Sequence, residues 1–90
     1  MTLLHIPVIF IHVKPIKYDR HAKKRMKDRE VSETEAALAI GYPDLYEPSV
    51  KGRMNAFKFV NGRYLRVTFK EEMDHILVIT VTIRKKPFIR

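Results

Sequence analysis

The sequence predicts an α+β domain. Two N-terminal helices pack on one face of a three- to four-stranded antiparallel sheet, and an extra N-terminal strand is compatible with the pattern. Helical spacing and helix caps dominate the first half of the chain. After the turn Tyr42-Pro43-Asp44, apolar and polar residues alternate, as in strands with one buried face. A chain of 90 residues forms a single domain, with an apolar extension at 1–15 and a core at 16–86.

The most apolar run of the chain is at residues 3–13, and it contains Pro7. The run is too short to cross a membrane, and it lacks the basic flank of a signal peptide. Its β-branched residues predict an edge strand, which could also pair two copies of the chain as a homodimer. Residues 16–18 form a short strand that leads into the first helix.

Both helices have recognisable ends. Asp19 is a suitable N-cap for a helix over 20–29. Ser32 and Glu35 have capping-box spacing, and Gly41 is a suitable residue to end the second helix. The two helices therefore form an α-helical hairpin.

The strands are predicted at 45–50, 54–60, 63–70 and 75–84. For the central hairpin we expect a three-residue loop, Val60-Asn61-Gly62, because it pairs Phe57 with Leu65 and gathers the apolar side chains on one face. The face under the helices would then hold Phe57, Leu65, Val67, Phe69, Leu77, Ile79, Val81 and Ile83. The opposite face would hold Lys58, Tyr64, Arg66, Thr68, Thr80, Thr82 and Arg84.

The formal net charge of +8 is unevenly distributed. Residues 14–29 carry eight Lys or Arg against two Asp, whereas residues 30–50 carry five acids and no Lys or Arg. This polarity favours a basic surface for nucleic acid over a uniformly solvated surface. Cysteine is absent and the four histidines lie far apart, so we expect no metal site and no cofactor. Both the missing cysteines and the missing signal peptide favour a cytoplasmic protein.

Two stretches resemble a known family. The first is the helix motif His21, Ala22, Arg25, Met26 and Arg29, followed by the capping box and Tyr42-Pro43-Asp44; the second is Asn61-Gly62-Arg63-Tyr64-Leu65-Arg66-Val67 with the strand at 76–81. Together they resemble the domain of unknown function 4258 family, which is similar to the RelE and BrnT toxins, over roughly residues 16–86.

The resemblance implies a RelE/barnase-like fold and a metal-independent endoribonuclease that is paired with an antitoxin. The family's helix positions fall on His21, Arg25 and Arg29, and its strand positions fall on Tyr64, Arg66 and Thr80. Cleavage of RNA without a metal requires a proton acceptor, a proton donor and cations beside the phosphate. His21 suits proton transfer, Arg25 and Arg66 can bind phosphate, and Tyr64 or Thr80 can orient the substrate.

Further cations are candidates for binding RNA: Lys24, Arg29, Lys58, Arg84, Lys85 and Lys86. Two alternatives stay open at this point. The same basic surface could bind RNA or DNA without cleaving it, or the chain could be an interaction protein that dimerises through residues 3–13.

Overall fold

The computed structural model describes residues 14–84. The predicted strand at 3–13, its role in a homodimer, and the cations Lys85 and Lys86 lie outside the described residues. The helices are α1 (Arg20–Arg29) and α2 (Glu33–Gly41); the strands are β1 (Ile16–Tyr18), β2 (Leu45–Pro48), β3 (Met54–Val60), β4 (Arg63–Glu71) and β5 (Ile76–Arg84). A short 3-10 turn spans Val50–Gly52.

The predicted helix ends are confirmed. The Asp19 carboxylate accepts a hydrogen bond of 2.8 Å from the backbone N–H of Ala22, which caps α1. Ser32 and Glu35 form the reciprocal capping box of α2, with hydrogen bonds of 3.1 and 2.9 Å. Glu30 adopts a left-handed conformation with φ of 55°, and its N–H bonds back to α1. These local contacts let two short helices follow each other with only a three-residue link.

The α+β class and the placement of both helices on one sheet face are confirmed, but the strand count and the purely antiparallel arrangement are wrong. The sheet has five strands in the order β1-β5-β4-β3-β2. β1 lies parallel to β5, with Ile16 opposite Ile76, while the other neighbours are antiparallel. The two helices carry the chain from β1 to β2 at the opposite edge of the sheet, and the long stretch between β1 and β5 provides the connection that a parallel pair requires.

The predicted three-residue hairpin loop is also wrong. Val60 pairs with Arg63, so the loop is the two-residue Asn61-Gly62, with φ of 53° and 79° as in a type I′ turn. This register places Phe57 opposite Arg66, away from the helices. Ala56 takes the position under the helices instead, where small side chains let α2 pack closely on β3.

A bulge in β5 changes which of its residues face the core. Thr68 pairs with Thr80 but Phe69 pairs with Val78, so Ile79 is the extra residue. Ile76 and Val78, rather than the predicted Leu77 and Ile79, therefore lie in the core. The buried core comprises Ala22, Met26, Val31, Ala36, Ala39, Ile40, Ala56, Leu65, Val67, Phe69, Ile76, Val78 and Val81.

Lys58 lies on the helix side of β3, not on the opposite face as predicted. It pairs with Leu65, and its ammonium donates to the Tyr42 carbonyl at 2.8 Å and lies 3.6 Å from Asp44. These contacts hold the Lys58 side chain on the helix side and connect the end of α2 to the sheet. Within residues 14–84, neither helix has the length and apolar composition that a membrane crossing needs.

Candidate nucleic-acid interface

Strands β3, β4 and β5 present a second face, which we call the far face because it points away from both helices. Strand pairing and the bulge at Ile79 determine its members. They are Asn55, Phe57, Phe59, Tyr64, Arg66, Thr68, Lys70, Leu77, Thr80, Thr82 and Arg84. Hydroxyls, aromatic rings and cationic groups thus predominate on this side of the sheet. No described carboxylate of these three strands lies on it, whereas Glu47 of the edge strand β2 pairs with Asn55 and lies at its border.

Arg66 is at the centre of the far face, between Phe57 on β3 and Thr82 on β5. Its Nη2 donates one long hydrogen bond of 3.4 Å to the Thr82 hydroxyl. Its Nε is buried and has no hydrogen-bond partner within residues 14–84. No carboxylate of that part of the chain forms an ion pair with this guanidinium. A partly buried cation that lacks an anion costs stability, and a bound anion would offset this cost.

Aromatic side chains flank Arg66. The rings of Phe59 and Tyr64 lie 4.6 Å apart between centroids with an interplanar angle of 45°, and Phe59 is half exposed. Phe57 is only 5% exposed, and the Arg84 guanidinium lies 5.5 Å from the centre of its ring. Arg84 therefore covers an apolar ring through a cation–π contact, while Phe59 and Tyr64 offer a stacking surface.

The threonines complete the far face. Thr80 and Thr68 lie opposite each other beside the bulge, and Thr68 is buried with its hydroxyl 2.6 Å from the Asn55 side-chain oxygen. Thr80 and Thr82 are partly exposed on the neighbouring strand. Each has a hydroxyl that can donate to a phosphate oxygen or accept from a ribose hydroxyl.

The predicted cationic row on α1 forms a separate surface. Arg25 Nε donates to His21 Nε2 at 3.2 Å, a contact that requires a neutral imidazole. Lys24 lies 3.6 Å from Asp28 one turn later and is well exposed. The groove between the helices is lined by Lys23, Lys27 and other residues, so the row of His21, Arg25 and Arg29 lies on the flank of α1 that points away from α2.

The structure therefore divides the predicted site residues into two groups. Tyr64, Arg66, Thr80 and Arg84 come together on the far face. His21, Lys24, Arg25 and Arg29 belong to α1, which packs on the helix side of β5, so the sheet lies between them and Arg66. The two hollows beside the end of α2 and the groove between the helices are lined by neither His21 nor Arg66.

Sequence reasoning missed the role of Arg63. This side chain donates to the carbonyls of Arg29 at 2.7 Å and Glu30 at 2.8 Å, and lies 3.3 Å from the Glu35 carboxylate. Asn61 in the hairpin turn also donates to Glu35. This bond first, then the Ser32 backbone bond and the charge of Arg63, hold the pKa of Glu35 below its usual range despite burial. The sequence carried no signal for this role, because the burial of Glu35, which makes the acid need partners, is known only from the structure.

Sequence reasoning also missed Phe57 and Phe59 as members of the far face, because the expected loop length reversed the faces of β3. Among residues 14–84, no cluster of three or more His, Asp or Glu side chains is arranged to hold a metal ion. No protein-family model, curated protein or solved structure matches the chain.

Proposed function

We propose that this protein binds single-stranded RNA on the far face of its sheet. The observation that carries the proposal is the Arg66 guanidinium, which is partly buried with an unpartnered Nε and no ion pair within the described chain. A phosphate would supply the missing charge and accept two parallel hydrogen bonds from the guanidinium fork. The net charge of +8 favours such a polyanion over an isolated small anion.

The aromatic pair favours single strands over a duplex. Phe59 and Tyr64 lie two residue pairs away from Arg66 along the hairpin, which makes them its neighbours on the same face, and Phe59 is half exposed. Bases stack on exposed aromatic rings only when they are unpaired, and each stacked base contributes about 1–3 kcal/mol. The hydroxyls of Thr80 and Thr82 can bind the 2′-hydroxyl, which distinguishes RNA from DNA.

Binding of a short labelled RNA, measured by fluorescence anisotropy, tests the proposal. We expect Arg66→Met to weaken binding at least tenfold, which corresponds to about 1.4 kcal/mol. The matched control is Arg20→Met, which removes one exposed positive charge at the start of α1. The control should weaken binding about twofold or less. Equal losses in the two variants would mean that only net charge matters and would overturn the assignment to the far face.

A second candidate function is metal-independent cleavage of the bound RNA, as expected of a toxin from a toxin–antitoxin pair. The observation that favours it is the contact between His21 and Arg25, which places a proton acceptor beside a cation on α1. The outer edge of β5 beyond Val78 has no partner strand in the described chain. An RNA that passes around this edge would contact both Arg66 and His21.

Cleavage is tested by incubating RNA with the protein in excess EDTA. We expect products that end in a 2′,3′-cyclic phosphate, because the 2′-hydroxyl attacks the adjacent phosphate and the 5′-oxygen leaves with a proton. His21→Ala should slow cleavage at least a hundredfold while RNA affinity changes little, and Lys27→Ala, an exposed residue on the other flank of the same helix, is its matched control. Binding without cleavage in the wild-type protein would leave the binding proposal and reject the enzyme.

A further inference from the structure

An apolar groove crosses the helix side of the sheet beside the end of α2. It consists of two adjoining hollows of about 520 and 350 Å³, which share Lys14, Ile40, Gly41 and Ile76 in their lining. Phe69 and Tyr46 extend the larger hollow, and their rings lie 5.9 Å apart between centroids. The groove is therefore the part of the core face that neither helix covers.

Large apolar side chains border this groove in exposed positions. Leu38, Tyr42 and Tyr46 are 37%, 50% and 47% exposed. They all line one or other of the two hollows. A continuous exposed apolar surface of this kind is unusual on a small protein and indicates that another apolar group packs on it.

The charged groups that line the groove neutralise each other. The Lys14 ammonium lies 2.7 Å from the Glu71 carboxylate, and it also donates to the Glu72 carbonyl at 3.0 Å. No uncompensated charge thus remains in the lining of either hollow. The groove therefore suits an apolar segment and disfavours a charged one, because a buried charge requires a partner.

The preceding part of the chain joins the described residues at this groove. Lys14 lines both hollows, and the next residue, Pro15, accepts a hydrogen bond of 2.9 Å from the backbone N–H of Ile76. Residues 3–13 contain eight apolar residues besides Pro7, and no Lys, Arg, Asp or Glu. A segment tethered at the rim of a site is present there at an effective concentration of about millimolar.

We propose that residues 3–13 of the same chain occupy the groove beside α2 and cover Leu38 and Tyr46. The composition of the segment matches the neutralised apolar lining, and its attachment at Lys14 favours binding within one molecule over binding to a second copy. The inference is independent of RNA binding, because the groove and the far face lie on opposite sides of the sheet.

Single tryptophans test this proposal in the full-length, RNA-free protein, which naturally contains none. Tyr46→Trp reports on the groove. Phe59→Trp is its matched control on the far face, since the two native rings are 47% and 50% exposed. We expect acrylamide to quench the indole of Tyr46→Trp at least threefold less efficiently than that of Phe59→Trp. Adding Ile9→Glu and Ile11→Glu should abolish this protection and leave the Phe59→Trp signal unchanged.

Equal quenching of the two reporters would overturn the proposal. Protection that disappears on dilution, in step with dissociation of a dimer in sedimentation experiments, would assign the groove to a second copy and overturn it as well. Engineered cysteines give an independent readout, because the chain has no cysteine. Under mild oxidation, Tyr46→Cys should form a disulfide within the monomer with at least one of Ile9→Cys, Phe10→Cys and Ile11→Cys, whereas Phe59→Cys should form one with none of them. A disulfide-linked dimer, or no bond in any of the Tyr46→Cys pairs, contradicts the proposal.

Discussion

Two arginines three residues apart on β4 behave in opposite ways. Arg63 is on the helix side and donates to two backbone carbonyls and to the Glu35 carboxylate. Arg66 is on the far face. Within the described chain its guanidinium donates a single long hydrogen bond, to Thr82, and its Nε is buried without a partner. The two side chains are chemically identical, so the difference lies entirely in their surroundings.

Arg63 and Arg66 therefore differ in role: Arg63 stabilises the fold, whereas Arg66 is the residue for which we propose binding to RNA. Arg63 ties the hairpin to the end of α1 and the start of α2, which stabilises the fold. Arg66 costs stability in the absence of an anion, because no ion pair offsets the desolvation of its guanidinium group. We therefore expect substitution of Arg63 to change mainly the free energy of unfolding, and substitution of Arg66 to change mainly the affinity for RNA.

The largest effect is expected for Arg63→Met. This change leaves the Glu35 carboxylate and the carbonyls of Arg29 and Glu30 without their shared donor, and should lower the free energy of unfolding by about 3 kcal/mol. Chemical denaturation measures this value. Arg66→Met is the control on the same strand and should be as stable as the wild-type protein or more so. Similar destabilisation by the two substitutions would remove the distinction between them.

The stacking surface gives the next largest effect. Phe59→Ala removes an exposed ring that contacts Tyr64, and should weaken the binding of single-stranded RNA about tenfold. The stability of the protein should change little, because the ring is half exposed. The matched control is Tyr46→Ala, an equally exposed ring on the helix side. If Tyr46→Ala weakens RNA binding as much as Phe59→Ala, the far face is not the interface.

The smallest effect concerns the acid stability of the Arg63 network. The pKa of Glu35 is lowered in the folded protein, so its contribution to stability is complete above the pKa of an unfolded glutamate, about 4.3. This contribution is lost as the pH falls through the lower folded pKa. At pH 7, Glu35→Gln should be about 1 kcal/mol less stable than wild type.

The difference between wild type and Glu35→Gln should shrink as the pH is lowered from 5 to 2, which thermal unfolding at a series of pH values would show. Glu33→Gln, two residues earlier on the same helix and exposed, is the control and should keep the wild-type pH dependence. A constant difference across this pH range would contradict the proposed role of the Glu35 carboxylate.

Local signals in the sequence were sufficient to predict where the two helices begin and end. Asp19, Ser32 and Glu35 form their capping bonds with residues no more than three positions away, so sequence spacing alone predicts them. The alternating strand segments are also local, because a strand's period depends only on backbone geometry. Most of the predicted element boundaries were therefore close to those of the structure.

Predicting which face of the sheet each side chain occupies required more than local information. The Asn61-Gly62 pair by itself favours a two-residue turn, but a preference for burying Phe57 under the helices led to the longer loop. In the structure Phe57 is buried on the far face beneath Arg84, a residue 27 positions later in the chain. The observed loop is one residue shorter than the predicted loop. Every side chain of β3 therefore lies on the face opposite to the one predicted.

The sequence by itself determined that this chain forms two capped helices followed by an antiparallel hairpin sheet, and that its charge is strongly positive. Only the tertiary structure decided that β1 pairs with β5, that Arg63 is satisfied while Arg66 is not, and that the α1 cations and the far face are separated by the sheet. The physical reason is the separation along the sequence between the residues that interact. Caps, turns and periodicity depend on neighbouring residues, whereas the partners of a charge depend on strands and helices brought together from distant parts of the chain.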